Sequence, residues 1–258
     1  MLIDSHCHLP HEKYEKSIED ILKEAKSFGV EKFITIGTSA KENKLAIETA
    51  EKYDDVFCSI GIHPHEDNEF STQELLASLE EDLKKSQKIV GIGECGVDIS
   101  NLESERSLKN QLEIFEMQLI FANDQKLPVI IHNRNGDSEV YLLLKKYSSR
   151  GIKGVMHCFN SNWGYAQKII DIGFCISFTN MISYPKKEVL LEVVKKVPMD
   201  KFLVETDAPY LPLQRLRGEI CYPKYVRMVA ESVAQIKGKS FEEVCDSTYV
   251  NTCSLFNI

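Results

Sequence analysis

The chain has 258 residues, of which 43% are hydrophobic and 27% are charged, as in an ordinary globular protein. Its formal net charge of −8 argues against non-specific binding of nucleic acid along a broad basic surface. No apolar run approaches the roughly 18 residues that span a bilayer, and Asp4 follows the first three residues without a leader-like segment. We therefore expect a cytoplasmic protein with no membrane partner and no obligate protein partner.

Eight short runs of apolar and β-branched residues recur along the chain and are predicted to be strands buried on both faces. In chain order they are "MLIDSH", "KFITIGT", "VFCSIGIH", "KIVGIGE", "LPVIIH", "KGVMHCF", "GFCISFT" and "KFLVETD".

Helical patterns alternate with these runs. Apolar residues at helical spacing mark Ile18 to Phe28, Leu108 to Ala122, Val140 to Tyr147, "KEVLLEVVKKV" and Val226 to Ile236. Ile169 and Ile170, followed by a stop at Gly173, mark another helix. Capping boxes at Ser71–Glu74 and Ser240–Glu243 predict two further helices. Repeated strand–helix alternation predicts an α/β fold, a TIM-type (β/α)₈ barrel, in a single domain covering residues 1–258. An open doubly wound sheet is the alternative, but no GxGxxG turn follows the first strand.

Metal-ligating side chains concentrate where the predicted strands end, which is the face where barrel enzymes build their sites. Six of the seven histidines lie there, together with three carboxylates. These residues are His6, His8, His63, His65, His132, His157, Glu94, Glu205 and Asp207. His6 and His8 share one strand face because successive side chains alternate. The joint pattern predicts a metal site, although an H-x-H pair alone would be weak evidence for one.

Of these nine residues, four histidines (His6, His8, His132 and His157) and two carboxylates (Glu94 and Asp207) are the predicted ligands. Six ligands are too many for one open catalytic ion, but they suit two divalent ions that share a carboxylate. Glu94 is the predicted bridge, since its strand lies between the strands that carry the two histidine groups. The first ion is assigned to His6, His8, Glu94 and Asp207, and the second to Glu94, His132 and His157. These ligand types suit divalent Zn, Mn, Mg, Fe or Ni, and of these we expect Mg²⁺ or Mn²⁺, with Zn²⁺ as the alternative. Such a pair can activate water and clamp a phosphoryl group.

Three cysteines, Cys7, Cys95 and Cys158, adjoin these ligands in the sequence. Strand alternation predicts that each points away from the ligands into the helix layer, as a buried packing residue. The eight cysteines are expected to be reduced.

Several segments together resemble the TatD family of metal-dependent deoxyribonucleases. They are "DSHCHL", "GIHPH", "GIGECGVD", "LPVIIHNR", "HCF" and "ETDAPYL". The resemblance extends from Asp4 to Phe256 and implies a TIM barrel, one or two divalent ions and hydrolysis of nucleic-acid phosphodiesters, often from a 3′ end. The family's metal ligands fall on the same six residues that strand position selects. The expected substrate is DNA, at 3′ ends or in single strands, with RNA as a second substrate.

The remaining polar residues are then given roles. Glu94 and Asp207 are the predicted catalytic residues, and Asp207 also accepts a proton from the attacking water. Substrate contacts are predicted at His63, His65, Arg134 and Arg217. Glu205 is expected to support a ligand, and Asp98 to fix the loop after the fourth strand. Ile99 and Ser100 follow "GECGVD" where the family usually places aromatic residues, so a base-stacking platform is not expected there.

Two other functions are compatible with this pattern. The first is an amide or ester hydrolase of the wider amidohydrolase superfamily, such as an aminoacyl-tRNA deacylase, although many of those enzymes carry a bridging lysine where this chain has Glu94. The second is a binding protein that has lost catalysis, which the intact set of six ligands disfavours. Three surface loops, "HEDNEFST", "DISNLESERS" and "PLQRLRGEICYP", are predicted to rim the site.

Overall fold

Eight strands form one parallel sheet in chain order within the described residues, 1–100 and 106–258 of a computed structural model. The centre of the predicted loop "DISNLESERS" lies outside these residues. The strands are β1 (Leu2–Cys7), β2 (Val30–Ile36), β3 (Val56–Ile60), β4 (Ile89–Asp98), β5 (Val129–Arg134), β6 (Gly154–Met156), β7 (Cys175–Phe178) and β8 (Phe202–Val204).

Hydrogen bonds between the first and last strands bring the sheet round into a barrel. The Ser5 hydroxyl donates to the Val204 carbonyl at 3.0 Å. Beyond β8, the Asp207 amide donates to the carbonyl of His6 at 2.9 Å, and the His8 amide donates to the carbonyl of Ala208 at 2.7 Å. The predicted TIM-type barrel is confirmed, and its closure places the ends of β1 and β8 side by side.

The helices lie between the strands and after the last one. They are α1 (Ile18–Ser27), α2 (Ala40–Lys52), α3 (Thr72–Leu83), α4 (Leu108–Gln125), α5 (Asp137–Ser148), α6 (Trp163–Asp171), α7 (Glu188–Lys196), α8 (Val226–Lys237) and α9 (Phe241–Phe256). Both predicted capping boxes are present. No helix in the described part of the chain is both long and apolar enough to cross a membrane.

Helix α2 was not identified from the sequence pattern. Its buried face is built from Asn43, Ala46, Ile47, Thr49 and Ala50, so an amide, a hydroxyl and two alanines occupy positions where a strong apolar stripe would be expected. The buried Asn43 has a structural task, because its side-chain oxygen accepts the Gly61 amide at 3.0 Å.

Two apolar cores stabilise the barrel. The larger core lies between the strands and the surrounding helices. The smaller one comprises Ile34, Ile36, Val90, Ile130, Val155, Leu203 and Phe256. Phe256 comes from α9 and lies near Gly91, at the beginning of β4, where an added Cβ would be 3.3 Å from its ring. The carboxyl-terminal helix therefore closes the barrel at the amino-terminal ends of the strands, opposite their carboxyl ends.

Glycines allow β4 to lie unusually close to its neighbours on both sides of Glu94. A Cβ at Gly96, whose φ is +147°, would lie 2.0 Å from the His132 carbonyl oxygen. A Cβ at Gly61 would lie 2.4 Å from the carbonyl carbon of Gly93. Only glycine fits both the small space and the positive φ at Gly96. These glycines therefore permit the close strand approach that places Glu94 between β3 and β5.

Two buried glutamines on α4 hold the ends of β3 and β4. Gln118 accepts the Ile62 amide at 2.8 Å and donates to the Ile62 carbonyl at 3.0 Å. Gln111 pairs in the same way with both main-chain groups of Asp98, at 2.8 and 3.0 Å. Ile62 immediately precedes His63, so α4 fixes the backbone at two site residues, His63 and Asp98.

Replacing Gln118 with leucine should lower the free energy of unfolding by about 3 kcal/mol, because it leaves the buried amide and carbonyl of Ile62 without partners. Urea unfolding of the purified variant measures this change. The matched control is Gln125→Leu, an exposed position at the end of the same helix, which should change stability by less than about 0.5 kcal/mol. Equal stabilities for the two variants would show that the pairing with Ile62 contributes little.

Candidate metal centre

A cleft of about 930 Å³ opens at the carboxyl ends of the strands. Metal-ligating side chains from five of the strands or the segments that follow them meet at or beneath its floor. His6 comes from β1 and is fully buried, His8 directly follows β1, Glu94 comes from β4, His132 from β5, His157 from the turn after β6, and Asp207 from the segment after β8. His63 reaches the same cleft from the loop after β3. The structure thus brings all six predicted ligands together.

Three strands are shorter than the sequence predicted, and the difference changes the position of one cysteine. Strands β3, β6 and β8 end before their site residues, so alternation no longer governs the side chains that follow. Cys158 adopts a positive φ of 45° and lines the cleft, and the prediction that it faces the helix layer is wrong. Cys7 and Cys95 are fully buried in the outer core, as predicted.

The carboxylate of Glu94 lies between two groups of histidines. One of its oxygens, Oε1, is 2.8 Å from Nδ1 of His132 and 2.9 Å from Nε2 of His157. The other, Oε2, is 3.5 Å from Nε2 of His6. Glu94 is 4% exposed. The two oxygens of one buried carboxylate thus contact two different sets of ligands. This is the arrangement that a carboxylate bridging two ions requires.

The first set consists of His6, His8 and Asp207, whose ligand atoms all lie within 4.8 Å of one another. Nε2 of each histidine is 3.5 Å from Oδ1 of Asp207. Both ring nitrogens of His6 are buried and have no hydrogen-bond partner among the described residues. Burial lowers the pKa of His6, which favours the neutral imidazole that binds a metal. The unpartnered nitrogens of His6 and the nearby carboxylates fit a divalent cation.

The second set consists of His63, Glu94 and His132, again within 4.8 Å. His157 adjoins it, with Nε2 3.4 Å from Nδ1 of His132. The sequence assigned His63 to the substrate, yet the structure brings its Nε2 to 3.8 Å from Oε1 of Glu94. His63 is therefore also placed to serve as a ligand, which strand counting missed because β3 ends at Ile60.

Two further carboxylates lie against His157 and His132. Glu205 Oε1 lies 3.4 Å from Nδ1 of His157, and Asp98 Oδ2 lies 3.2 Å from Nε2 of His132. In each case the other ring nitrogen points to Glu94. Glu205 is itself fixed by the Ser177 hydroxyl and the Cys158 amide, at 2.6 and 2.7 Å. Such carboxylate–histidine pairs set the tautomer and direction of a metal ligand.

The charges of these groups are mutually dependent. Burial alone would raise the pKa of Glu94, but the charge of His157 and the contacts with His132, His157 and His6 outweigh it and hold that pKa well below its usual range. Burial would likewise raise the pKa of Asp207, and its contact with His8 together with the charge of His6 lowers it. Both carboxylates are therefore anionic at neutral pH, as ligands must be.

Asp4 is a buried support that the sequence analysis left without a role. Its carboxylate accepts the Thr206 amide at 2.9 Å and the Thr206 hydroxyl at 2.6 Å. These bonds tie β1 to the segment that carries Asp207, which has a left-handed φ of 59° that only a few per cent of non-glycine residues adopt. Asp4 and Thr206 lie within "DSHCHL" and "ETDAPYL", so the motifs did contain the signal.

The predicted substrate contacts are placed differently from one another. The Arg134 side chain is 63% exposed, lines the cleft and lies 3.6 Å from Asp98. His65 lies 3.5 Å from Asp98 through Nε2. Arg217 is exposed in the loop after β8 and is not among the described residues that line the cleft. The structure thus brings Arg134 to the site but does not bring Arg217 there.

Replacing Glu205 with glutamine should weaken metal binding about 10- to 100-fold, because His157 loses the anion that orients it. Titration of the metal-free protein with Mn²⁺ measures this affinity. Glu192→Gln, an exposed change on α7, is the control and should bind like the unaltered protein. Unchanged affinity in the Glu205 variant would exclude this supporting role.

Comparison with known proteins supplies an independent line of evidence. The family described as TatD related DNase matches residues 3–257. The chain is 35% identical, over 100% of both chains, to the uncharacterized metal-dependent hydrolase YabD of Bacillus subtilis. It is 27% identical to the 3′-5′ ssDNA/RNA exonuclease TatD of Klebsiella pneumoniae, over 100% of this chain and 98% of the relative. The crystal structure of YJJV, a TatD homologue from Escherichia coli, superposes with a TM-score of 0.92 at 27% identity, covering 100% of this chain and 98% of that one.

Proposed function

We propose that this chain, which belongs to the TatD-related DNase family of metal-dependent hydrolases, hydrolyses phosphodiester bonds of nucleic acid. The proposed substrate is single-stranded DNA attacked at a 3′ end, with RNA as a second substrate. The relative from Klebsiella pneumoniae is named for this activity, and the position of Glu94 between two ligand sets independently supports metal-dependent hydrolysis.

The observation that carries the proposal is the division of the Glu94 carboxylate between two ligand sets. Divalent ions held by these sets would supply Lewis acidity, withdrawing charge from the phosphodiester and lowering the pKa of water. His6, His8 and Asp207 would hold the first ion, and His132, His157 and His63 would surround the second, with Glu94 shared between them. An anionic diester is a suitable ligand for such a pair.

The protein's own residues position the reactants and handle the proton. The Asp207 side chain is 15% exposed, so its carboxylate reaches the cleft and can accept a proton from the attacking water. Arg134 lies at the rim of the same cleft, where its guanidinium can hold a non-bridging phosphate oxygen. Asp98, which contacts both Arg134 and His132, links the substrate contact to a ligand.

A substrate panel tests the proposal against an amide or ester substrate. The metal-loaded protein should release nucleotides from single-stranded DNA and RNA and leave aminoacyl-tRNA esters and cyclic amides intact. Hydrolysis of an amide or ester, without cleavage of either nucleic acid, would contradict the proposal while leaving the metal centre in place. The panel is run with the same preparation and the same metal so that only the bond type differs.

A further inference from the structure

The wall of the cleft carries one apolar patch. Three partly exposed side chains form it after β7 and β8, namely Met181, Tyr210 and Leu211, and we call this patch the apolar wall. Polar and charged side chains line the cleft around it and include Thr38, Ser39, Lys41, Glu42, Glu66, Arg134, Asn135, Asn160 and Ser161. A ligand that fills this cleft therefore meets a small apolar surface next to a polar one.

Tyr210 is the exposed member of the apolar wall. It is 40% exposed, and its ring centroid lies 5.8 Å from that of His8, a proposed ligand. Its hydroxyl is 2.9 Å from Nε2 of His11, which fixes the ring by its polar end. Tyr210 therefore presents an aromatic ring to the cleft beside this proposed ligand.

An exposed lysine lies over the Tyr210 ring. The Lys13 ammonium lies 4.3 Å from its centroid, and the Lys13 side chain is otherwise exposed. A flexible cation over an aromatic face is held weakly at an exposed position. A planar group can displace it, and the released ammonium can then pair with a phosphate of the same ligand.

The neighbouring apolar residues are held in place by the fold. Asn180 donates to the Leu211 carbonyl at 3.3 Å, and the hydroxyl of Tyr184 donates to the next carbonyl, that of Pro212, at 2.6 Å. The Met181 sulfur contacts Sγ of Cys158 at 3.5 Å. This wall is therefore preorganised, as a specific subsite requires.

We infer that Tyr210, with Leu211 and Met181, forms a nucleobase subsite that stacks an unpaired base next to the bond being cleaved. The inference rests on the proposed function and specifies its substrate. A base within a duplex already stacks on its neighbours, so a subsite of this kind selects single-stranded ends. It takes the place of the aromatic residues that are absent after Asp98.

The test compares Tyr210→Leu with the unaltered protein on two single-stranded oligonucleotides that differ only at the 3′ end. One has ordinary nucleotides there, and in the other the last two nucleotides are abasic. The variant should lose about tenfold in kcat/KM on the ordinary strand, mainly through KM, and less than twofold on the abasic strand. Tyr210→Phe keeps the ring and should restore most of the activity.

Controls separate stacking from a general structural effect. Tyr249→Leu alters a tyrosine on α9, whose ring lies 5.9 Å from the ammonium of Lys32 at the opposite end of β2, and should leave both substrates unaffected. A Tyr210→Leu loss that is equal on both strands, or no loss on either, would overturn the subsite while nuclease activity stands. If the unaltered protein cleaves neither strand, the proposed function fails as well.

Discussion

Replacing Glu94 with glutamine is expected to lower kcat on single-stranded DNA about 10³-fold and to reduce the number of bound ions. The side chain keeps its size, but an amide cannot offer two anionic oxygens. In the folded protein those oxygens face His132 and His157 on one side and His6 on the other. Loss of the shared charge therefore affects both ligand sets at once.

Metal analysis by mass spectrometry and steady-state kinetics on the same preparation measure this effect. Glu80→Gln, an exposed change on α3, is the matched control and should retain metal content and rate. The bridging role would be refuted if the Glu94 variant kept both its full complement of ions and its full activity.

The second large effect is expected for Asp207→Asn, which should lower kcat by about 10³-fold with a much smaller change in KM. Asparagine preserves the shape of the side chain but cannot accept the proton of the attacking water at neutral pH. It also weakens the set that contains His6 and His8, whose nitrogens each lie 3.5 Å from Oδ1 of Asp207.

Kinetics at saturating Mn²⁺ distinguish the two contributions, because excess metal compensates for weakened binding but not for a missing proton acceptor. Asp171→Asn, exposed at the end of α6, serves as the control. Recovery of the full rate at high Mn²⁺ would assign Asp207 to metal binding alone.

The strand order and the principal ligands were predictable because they depend on local patterns. Buried parallel strands appear as apolar runs, and the H-x-H spacing places His6 and His8 on one face whatever surrounds them. The carboxyl ends of the strands in a barrel meet at one face, so Glu94, His132, His157 and Asp207 could be assigned to one site without coordinates.

Other features depend on three-dimensional details that no local pattern records. His63 approaches Glu94 from the loop after β3, which ends three residues earlier at Ile60, so strand alternation does not predict its direction. Cys158 faces the cleft because β6 has ended and its φ is positive. The hydrogen bonds between Gln118 and Ile62 join residues 56 apart in sequence. The partner of Gln118 is a main-chain group, which every residue has, so the sequence does not show which residue it pairs with.

The outer parts of the site were the least predictable. Arg134 lies on β5 two residues after His132, and strand alternation placed it in the cleft correctly. Arg217 lies in a loop after β8, where no periodicity constrains its direction, and it does not reach the lining of the cleft among the described residues. Tyr210 was present in the "ETDAPYL" motif, but its exposure beside His8 became visible only in the fold.

Digestion of 3′-labelled single-stranded DNA by the purified protein tests the central claim most directly. The reaction is run with Mg²⁺, with Mn²⁺ and with EDTA. We expect mononucleotides to be released from the labelled end when either metal is present, and the release to stop in EDTA. Release that continues undiminished in EDTA, or no release of nucleotides by the metal-loaded protein, would contradict the proposal of a metal-dependent nuclease.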